Sequence, residues 1–382
     1  MIESSKMPPL KIGFIGGSIN SAVGYAHFSA IRSDGLYDLV AGCFSRNAET
    51  NQKSAQIYGV ETDRTYPDWQ SLLAQEQTKL DAILVLTPTP NHDEIVISAL
   101  EQGYRVICEK ALTDSVPKAQ KIADIVRQTS GFLAVTYNYS GYPIVREMRE
   151  VIREGKLGKV QQIQIEMPQE GFLRTNKSGQ PMVPQEWRLK DGEIPTLHLD
   201  LGVHVHQLIH YLTRLKPEEV VANVSNLGSF ENIIDDLNAI VKYEDELTAN
   251  IWYSKSALGH RNGLKIRVYG DQASMEWLQA DPEHLQISYA DGRREIHDRA
   301  IESHACNSIR YSRFKPGHPA GYVEAFANLY ADIHHDILSY QETGASCMTN
   351  EVFGVDLSLE GLQLLDAMTQ SAKHGRWVKV EK

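Results

Sequence analysis

Val106-Ile107-Cys108-Glu109-Lys110-Ala111-Leu112 is the stretch on which the fold turns. Three apolar residues run directly into an acid and an amine, with Gly103 just upstream and Thr113, Asp114 and Ser115 downstream as helix N-cap candidates. That pattern puts Glu109 and Lys110 at the end of a short buried strand, and ligands of open α/β sheets bind at such ends. Standing alone, the dipeptide reads as a surface ion pair closing a strand. Its neighbours decide otherwise.

Working outward, Lys11 to Ile15 reads as a buried strand entering Gly16-Gly17-Ser18-Ile19-Asn20-Ser21-Ala22-Val23-Gly24, with a helix to about Ile31. Glycines let the backbone approach a pyrophosphate, and the helix N-terminus offers oriented N–H donors. The usual G-x-G-x-x-G is altered, since Ser18 replaces the second glycine and Gly24 comes three residues late, so an ordinary glycine turn fits as well. Asp38 to Phe44 forms a second strand that ends at Ser45-Arg46-Asn47, where an acid often holds the ribose of NAD. A guanidinium there pairs with a 2'-phosphate, which leaves NAD and NADP both open, and a solvated loop arginine is the plainer reading.

Leu80 to Leu86 is a third strand, followed by Thr87-Pro88-Thr89-Pro90-Asn91-His92 and a helix to about Gln102. The prolines fix that loop where a flat ligand would lie. After Lys110 come a helix from Val116 to Gln128 and a strand from Phe132 to Val135. Strands alternating with helices imply an α/β fold with a doubly wound parallel sheet.

The order of these motifs, continued by Leu199-Asp200-Leu201-Gly202-Val203-His204, by Tyr137-Asn138-Tyr139 and by Gly317-His318-Pro319-Ala320-Gly321-Tyr322, resembles the Gfo/Idh/MocA oxidoreductases. The resemblance implies a Rossmann domain over 10–137. It implies a substrate and oligomerisation domain over 138–382, of α+β type with a large, mostly antiparallel open sheet and the C-terminal helix packing back on the Rossmann domain. It implies cofactor contacts from Gly16, Gly17, Ser18, Gly24, Ser45, Arg46, Thr87, Pro88, His92, Glu109 and Lys110. Lys110, Asp200 and His204 fall on the catalytic positions, with His204 as proton-transferring base, Lys110 its partner and Asp200 orienting substrate. Tyr137, Asn138, Trp187 and Arg188 join Asp200 and His204 as substrate contacts. A cationic cofactor beside Lys110 would favour its neutral form as proton acceptor. On a helix, Asp200 and His204 at i and i+4 project to one face. Read without the motif, His204 is a satisfied core histidine.

The chain departs from the family pattern at Ala111, in place of the usual proline, at Thr89, at Pro195-Thr196 in place of two glycines, and at Gln207 in place of an aspartate. These changes set its pocket wall apart from a standard inositol dehydrogenase. A sugar, sugar acid or cyclitol with NAD(P) is the expected chemistry. The alternatives are a redox-neutral glycoside hydrolase that keeps its NAD, and a non-enzymatic sensor of cofactor ratio. A homodimer or homotetramer is expected from the resemblance.

Composition sets the outer bounds. A chain of 382 residues with 42% hydrophobic content exceeds one usual core, so two domains are natural. A formal charge of -11 argues against nucleic acid or anionic membrane as partner. No 18-residue apolar run and no signal-peptide core are seen, and Cys43, Cys108, Cys306 and Cys347 make no CxxC pair. Neither a disulfide framework nor a metal site is expected, and a reducing cytoplasm fits. Met1 to Pro9 reads as a mobile arm.

In the second half, Ile144 to Glu154 reads as a helix and Val160 to Met167 as a strand. A polar loop, Pro168 to Pro184, leads to Trp187-Arg188, where an arginine beside an indole suits an anionic sugar substituent or is plain surface charge. Short strands at hairpin spacing follow over 220–224, 237–243, 247–253, 264–269, 273–278 and 285–289. Asp291 to Lys315 looks irregular; helices to about Tyr340 and over Asp356 to Lys373, then an edge strand at Trp377 to Val380, close the chain. His318 suits a helix-start turn better than a lid. The adjacent His334, His335 and Asp336 point apart on a helix, against a metal site.

Overall fold

The computed structural model describes residues 8–301, 305–345 and 348–381, so Cys347 and most of the Met1–Pro9 arm lie outside it. The chain divides into two compact units, one up to Gly141 plus Gly321–Leu359, the other Tyr142–Ala320 plus the residues from Glu360 on.

The first unit alternates strand and helix: β1 Leu10–Gly16, α1 Gly24–Arg32, β2 Tyr37–Cys43, α2 Ala48–Tyr58, α3 Trp69–Glu76, β3 Ala82–Leu86, α4 His92–Glu101, β4 Val106–Cys108, α5 Val116–Thr129 and β5 Leu133–Val135. The five strands pair in parallel in the order β2-β1-β3-β4-β5. All five residues of β3 are buried, as a strand covered on both faces requires. Helix α2 shows how local sequence sets an element's ends: the Asn47 side chain accepts the Thr50 N–H, and Gly59 at φ 76° stops it. One expected cut at residue 137 understates this unit, because residues 321–359 return to it. Their Phe326, Tyr330, Ile333 and Ile337 pack in one core with Phe14, Phe28, Tyr37 and Tyr58.

The second unit holds α6 Pro143–Arg153, β6 Val160–Pro168, α7 Val203–Thr213, β7 Pro217–Ser225, β8 Asp236–Tyr243, β9 Thr248–Ser254, β10 Lys265–Gly270, β11 Ala273–Leu278, β12 Asp281–Tyr289 and β13 Arg294–His297. Helix α8, Tyr322–Thr343, belongs to the first unit, whereas α9, Val355–His374, starts in the first and ends in the second, followed by β14 Val378–Lys379. Nine strands form one sheet, β13-β12-β11-β10-β6-β9-β8-β7-β14, antiparallel except where β6 meets β9. Burial alternates along β8, which leaves Asn238, Ile240 and Lys242 exposed and one sheet face open. Strand β13 corrects the irregular reading of Asp291 to Lys315. Its Arg-Glu-Ile-His sequence buries only His297 and so carries almost no alternation signal. No helix among the described residues is long and apolar enough to cross a membrane.

Candidate active site

The first unit supplies a cradle. Gly16 and Gly17 have φ of 85° and 70°, where side chains are disfavoured. A Cβ on Gly24 would fall 2.2 Å from the Gly17 carbonyl oxygen, and one on Gly17 would fall 2.5 Å from Leu86 Cδ1. The altered glycine spacing thereby gains a reason, since α1 begins at Gly24 against Gly17 itself. Ser18 O accepts the Ser21 N–H at 2.8 Å, and Ser21 Oγ accepts the N–H groups of Val23 and Gly24 at 3.3 and 3.2 Å. Close backbone approach and a helix N-terminus at one turn fit a dinucleotide pyrophosphate.

Ser45 and Asn47 are committed to the turn into α2: Ser45 Oγ accepts the Asn47 N–H at 3.1 Å, and Asn51 Oδ1 accepts the Phe44 N–H at 2.7 Å. Arg46 is exposed and pairs with no carboxylate among the described residues. Its guanidinium is therefore available to a 2'-phosphate. Arg46→Ala is expected to weaken NADP binding about tenfold or more and NAD binding much less, the scale of one charge-assisted hydrogen bond. Equal losses in a titration with both cofactors would show that Arg46 does not read the 2'-phosphate.

Thr87 Oγ1 is buried and makes no hydrogen bond among the described residues, which suits a hydroxyl awaiting a bound group, while Pro88 is exposed. His92, expected at the cofactor, is buried with both ring nitrogens on backbone carbonyls, Nε2 at 2.7 Å from Thr87 O and Nδ1 at 2.9 Å from Ala111 O. It clips the Thr-Pro loop to the Glu-Lys segment, a role its position in sequence does not reveal. Lys110 is the second residue past β4, is half-buried, and joins Ala111 through a cis peptide bond. Glu109 is buried and its N–H donates to Val85 O at 2.9 Å. Tyr137 and Asn138 are also in this unit and are buried. The Tyr137 hydroxyl lies 3.0 Å from Ser358 Oγ, and Asn138 Nδ2 has no hydrogen bond among the described residues.

The second unit carries Asp200 and His204. His198–Gly202 is a π-helical turn that runs into α7, so the expected single α-helix is widened at the aspartate. π-turns inside helices are frequent at functional sites, since the extra residue re-aims a side chain. A Cβ on Gly202 would meet Leu365 Cδ2 at 2.6 Å and Tyr253 Oη at 2.8 Å, which explains the glycine between the two polar residues. Tyr253 Oη also lies 2.9 Å from Nδ1 of His198, whose titration burial pushes down to about 3, so this histidine stays neutral. His204 is buried on the first turn of α7.

Asp200 is bracketed by cations. Arg188 Nη1 lies 2.5 Å from Oδ2, and Lys255 Nζ pairs with the same oxygen. The Trp187 ring lies under the Arg188 guanidinium at 4.4 Å, so the expected indole and arginine form a cation–π pair whose charge is directed at Asp200. Lys255 escaped the sequence reading. Its signal is a lysine just past the strand Thr248–Ser254, buried to 6% exposure, which demands a charged partner. Its backbone N–H donates to Asp235 O and its carbonyl accepts the Phe172 N–H, each at 2.8 Å, so the residue is fixed at both ends.

With this geometry in hand, two family models match: "Oxidoreductase family, NAD-binding Rossmann fold" over residues 10–137, and "GFO/IDH/MocA C-terminal domain" over 145–276. Among curated relatives, the uncharacterised oxidoreductase YfiI of Bacillus subtilis is 28% identical over 97% of both chains. Levoglucosan dehydrogenase of Pseudarthrobacter phenanthrenivorans is 22% identical over 98% of this chain and 99% of its own. Among solved structures, an inositol dehydrogenase homolog from Azotobacter vinelandii complexed with NAD+ superposes with a TM-score of 0.91 at 26% identity, covering 99% of this chain and 100% of that one.

Proposed function

The chain belongs to the Gfo/Idh/MocA family of NAD-binding oxidoreductases, and from that premise we propose that it moves a hydride between a nicotinamide dinucleotide and a ring hydroxyl or ketone of a sugar, sugar acid or cyclitol. The observation that carries this reading is Asp200, held by Arg188 and Lys255 on a π-turn one helical turn before His204. An acid oriented by two cations is suited to accept a hydrogen bond from a substrate hydroxyl, and the imidazole four residues on is suited to take its proton.

Gly16, Gly17, Ser18 and Gly24 would hold the pyrophosphate, Ser45 and Arg46 the adenosine ribose, and Thr87, Pro88 and Glu109 the nicotinamide end. The bound dinucleotide supplies the hydride acceptor or donor at nicotinamide C4. His204 accepts the hydroxyl proton and Lys110 shares it, while Asp200, Trp187, Arg188, Tyr137 and Asn138 position the ring. His92 contributes by holding the loop. Relatives and neighbours named for levoglucosan, inositol and D-xylose dehydrogenases support a polyhydroxylated ring as substrate. The open face of the nine-stranded sheet, with Ile240 41% exposed, supports a homodimer or homotetramer, which light scattering would size.

The test is a panel of free sugars, sugar acids, cyclitols and glycosides, with reduced cofactor followed by absorbance and products by mass spectrometry. Reduced cofactor formed one-to-one with a ketone or lactone product is the expected result. Aglycone release with no net reduced cofactor would overturn it in favour of a redox-neutral glycoside hydrolase.

A further inference from the structure

His27 lies on α1, three residues past Gly24, and is fully buried. Its Nδ1 is 2.6 Å from the Tyr330 hydroxyl, its Nε2 faces Glu109 Oε1 at 3.4 Å, an electrostatic contact that stops short of a formed hydrogen bond, and the Phe326 ring packs on it at 4.6 Å between centroids. Burial holds the Tyr330 phenol well above its ordinary range, so it remains a hydroxyl and can donate to Nδ1. An imidazole that accepts at Nδ1 carries its proton on Nε2, the nitrogen facing Glu109. Thr136 Oγ1 donates to the same carboxylate oxygen at 3.1 Å.

A carboxylate with 6% exposure loses its charge unless partners hold it. For Glu109, burial pushes titration up, while His27, Lys110 and Thr136 pull it down, with a net fall below the ordinary carboxylate range. The other titratable groups that feel its charge are Cys108, Tyr137, Tyr330 and His92. The first three are held as neutral donors by burial, and burial pushes His92 down as well. None of the four can replace the imidazole of His27.

We infer that His27 is a positioning residue for the redox reaction, which, oriented by Tyr330, fixes the Glu109 carboxylate beside Lys110. It touches neither substrate nor cofactor. Its effect is to keep one negative charge next to the lysine, so that the electrostatic setting of proton transfer does not change over the working pH range. The inference rests on the reading of Lys110 as a proton-transferring group.

The experiment is His27→Phe, which keeps a ring in the slot and removes the imidazole nitrogen that faces Glu109. Two readouts are taken, infrared difference spectra against pH and the pH profile of kcat/KM. In the variant, a protonated-carboxyl band should persist to neutral pH, absent from the wild type and abolished in His27→Phe/Glu109→Gln. The acid limb of kcat/KM should rise by about one pH unit or more, a loss of about tenfold on the acid side that recovers as pH rises. No new band, with a rate reduced evenly at all pH values, would overturn the inference. If His27→Phe does not fold, Tyr330→Phe keeps the imidazole and removes only its orienting hydroxyl; a smaller shift in the same direction is expected, and no shift overturns the proposal. The infrared band needs no turnover, so it separates a failure here from a failure of the Lys110 assignment, which Lys110→Ala tests by itself.

Discussion

Lys110→Ala is expected to lower kcat by about 10²–10⁴-fold, the usual worth of a positioned acid–base group, and to leave dinucleotide affinity within a few fold. The separation of the two effects follows from how the segment is held. Glu109 donates its N–H to Val85 O, Glu109 Oε1 is bound by Thr136, and the Ala111 carbonyl is gripped by His92. None of these bonds uses the lysine side chain, so all three remain when the amine is removed. Lys110→Arg should not restore the rate, because a guanidinium cannot release its proton. The comparison requires stopped-flow single turnovers and a fluorescence titration with reduced cofactor. Full turnover in Lys110→Ala would remove the residue from the mechanism, and lost cofactor binding with normal single turnovers would recast it as a binding group.

Lys255→Met should cost about 10–100-fold in kcat/KM, carried mainly by kcat. Asp200 Oδ2 is shared by Arg188 and Lys255, so the change removes one of the two cations on that oxygen of a partly buried carboxylate. A charged hydrogen bond is worth about 1.5–3 kcal/mol and a misplaced group near the reacting atoms costs about 10²-fold, which together set this range. Lys255 lies on the same carboxylate oxygen as Arg188, so its removal loosens the orientation of Asp200 and should leave substrate KM less affected than kcat. Lys255→Arg should recover most of the rate, since either cation can pair with the oxygen. A fall in melting temperature alone, with kcat and KM unmoved, would make the lysine structural.

Much of the parallel sheet could be read from residue patterns, because its strands are continuous apolar runs such as Ala82–Leu86 and their bounds are marked by glycine, proline and cap residues. The D-x-G-x-H spacing put Asp200 and His204 forward as candidates, but it gave no sign of the π-turn beneath them, since no residue type marks an i to i+5 bond. Strand β13 was missed because its polar alternation buries a single residue. Lys255 and His27 were missed for a common reason. Each is defined by a partner far along the chain, Asp200 at 55 residues and Tyr330 at 303, and such pairings arise from the tertiary fold alone. His92 shows the reverse case, where a motif located the residue but not the pair of carbonyls that occupies it.

The return of residues 321–359 to the first unit bears on how this protein is made. A ribosome releases all five parallel strands by residue 141, but Phe326, Tyr330, Ile333 and Ile337, which complete their core, lie some 180 residues later. At about 5–20 residues per second, the nascent sheet waits roughly 10–35 s with that face uncovered. The amino-terminal third thus carries an uncovered apolar face during synthesis, and a fragment that ends at Gly141 would expose the same surface permanently.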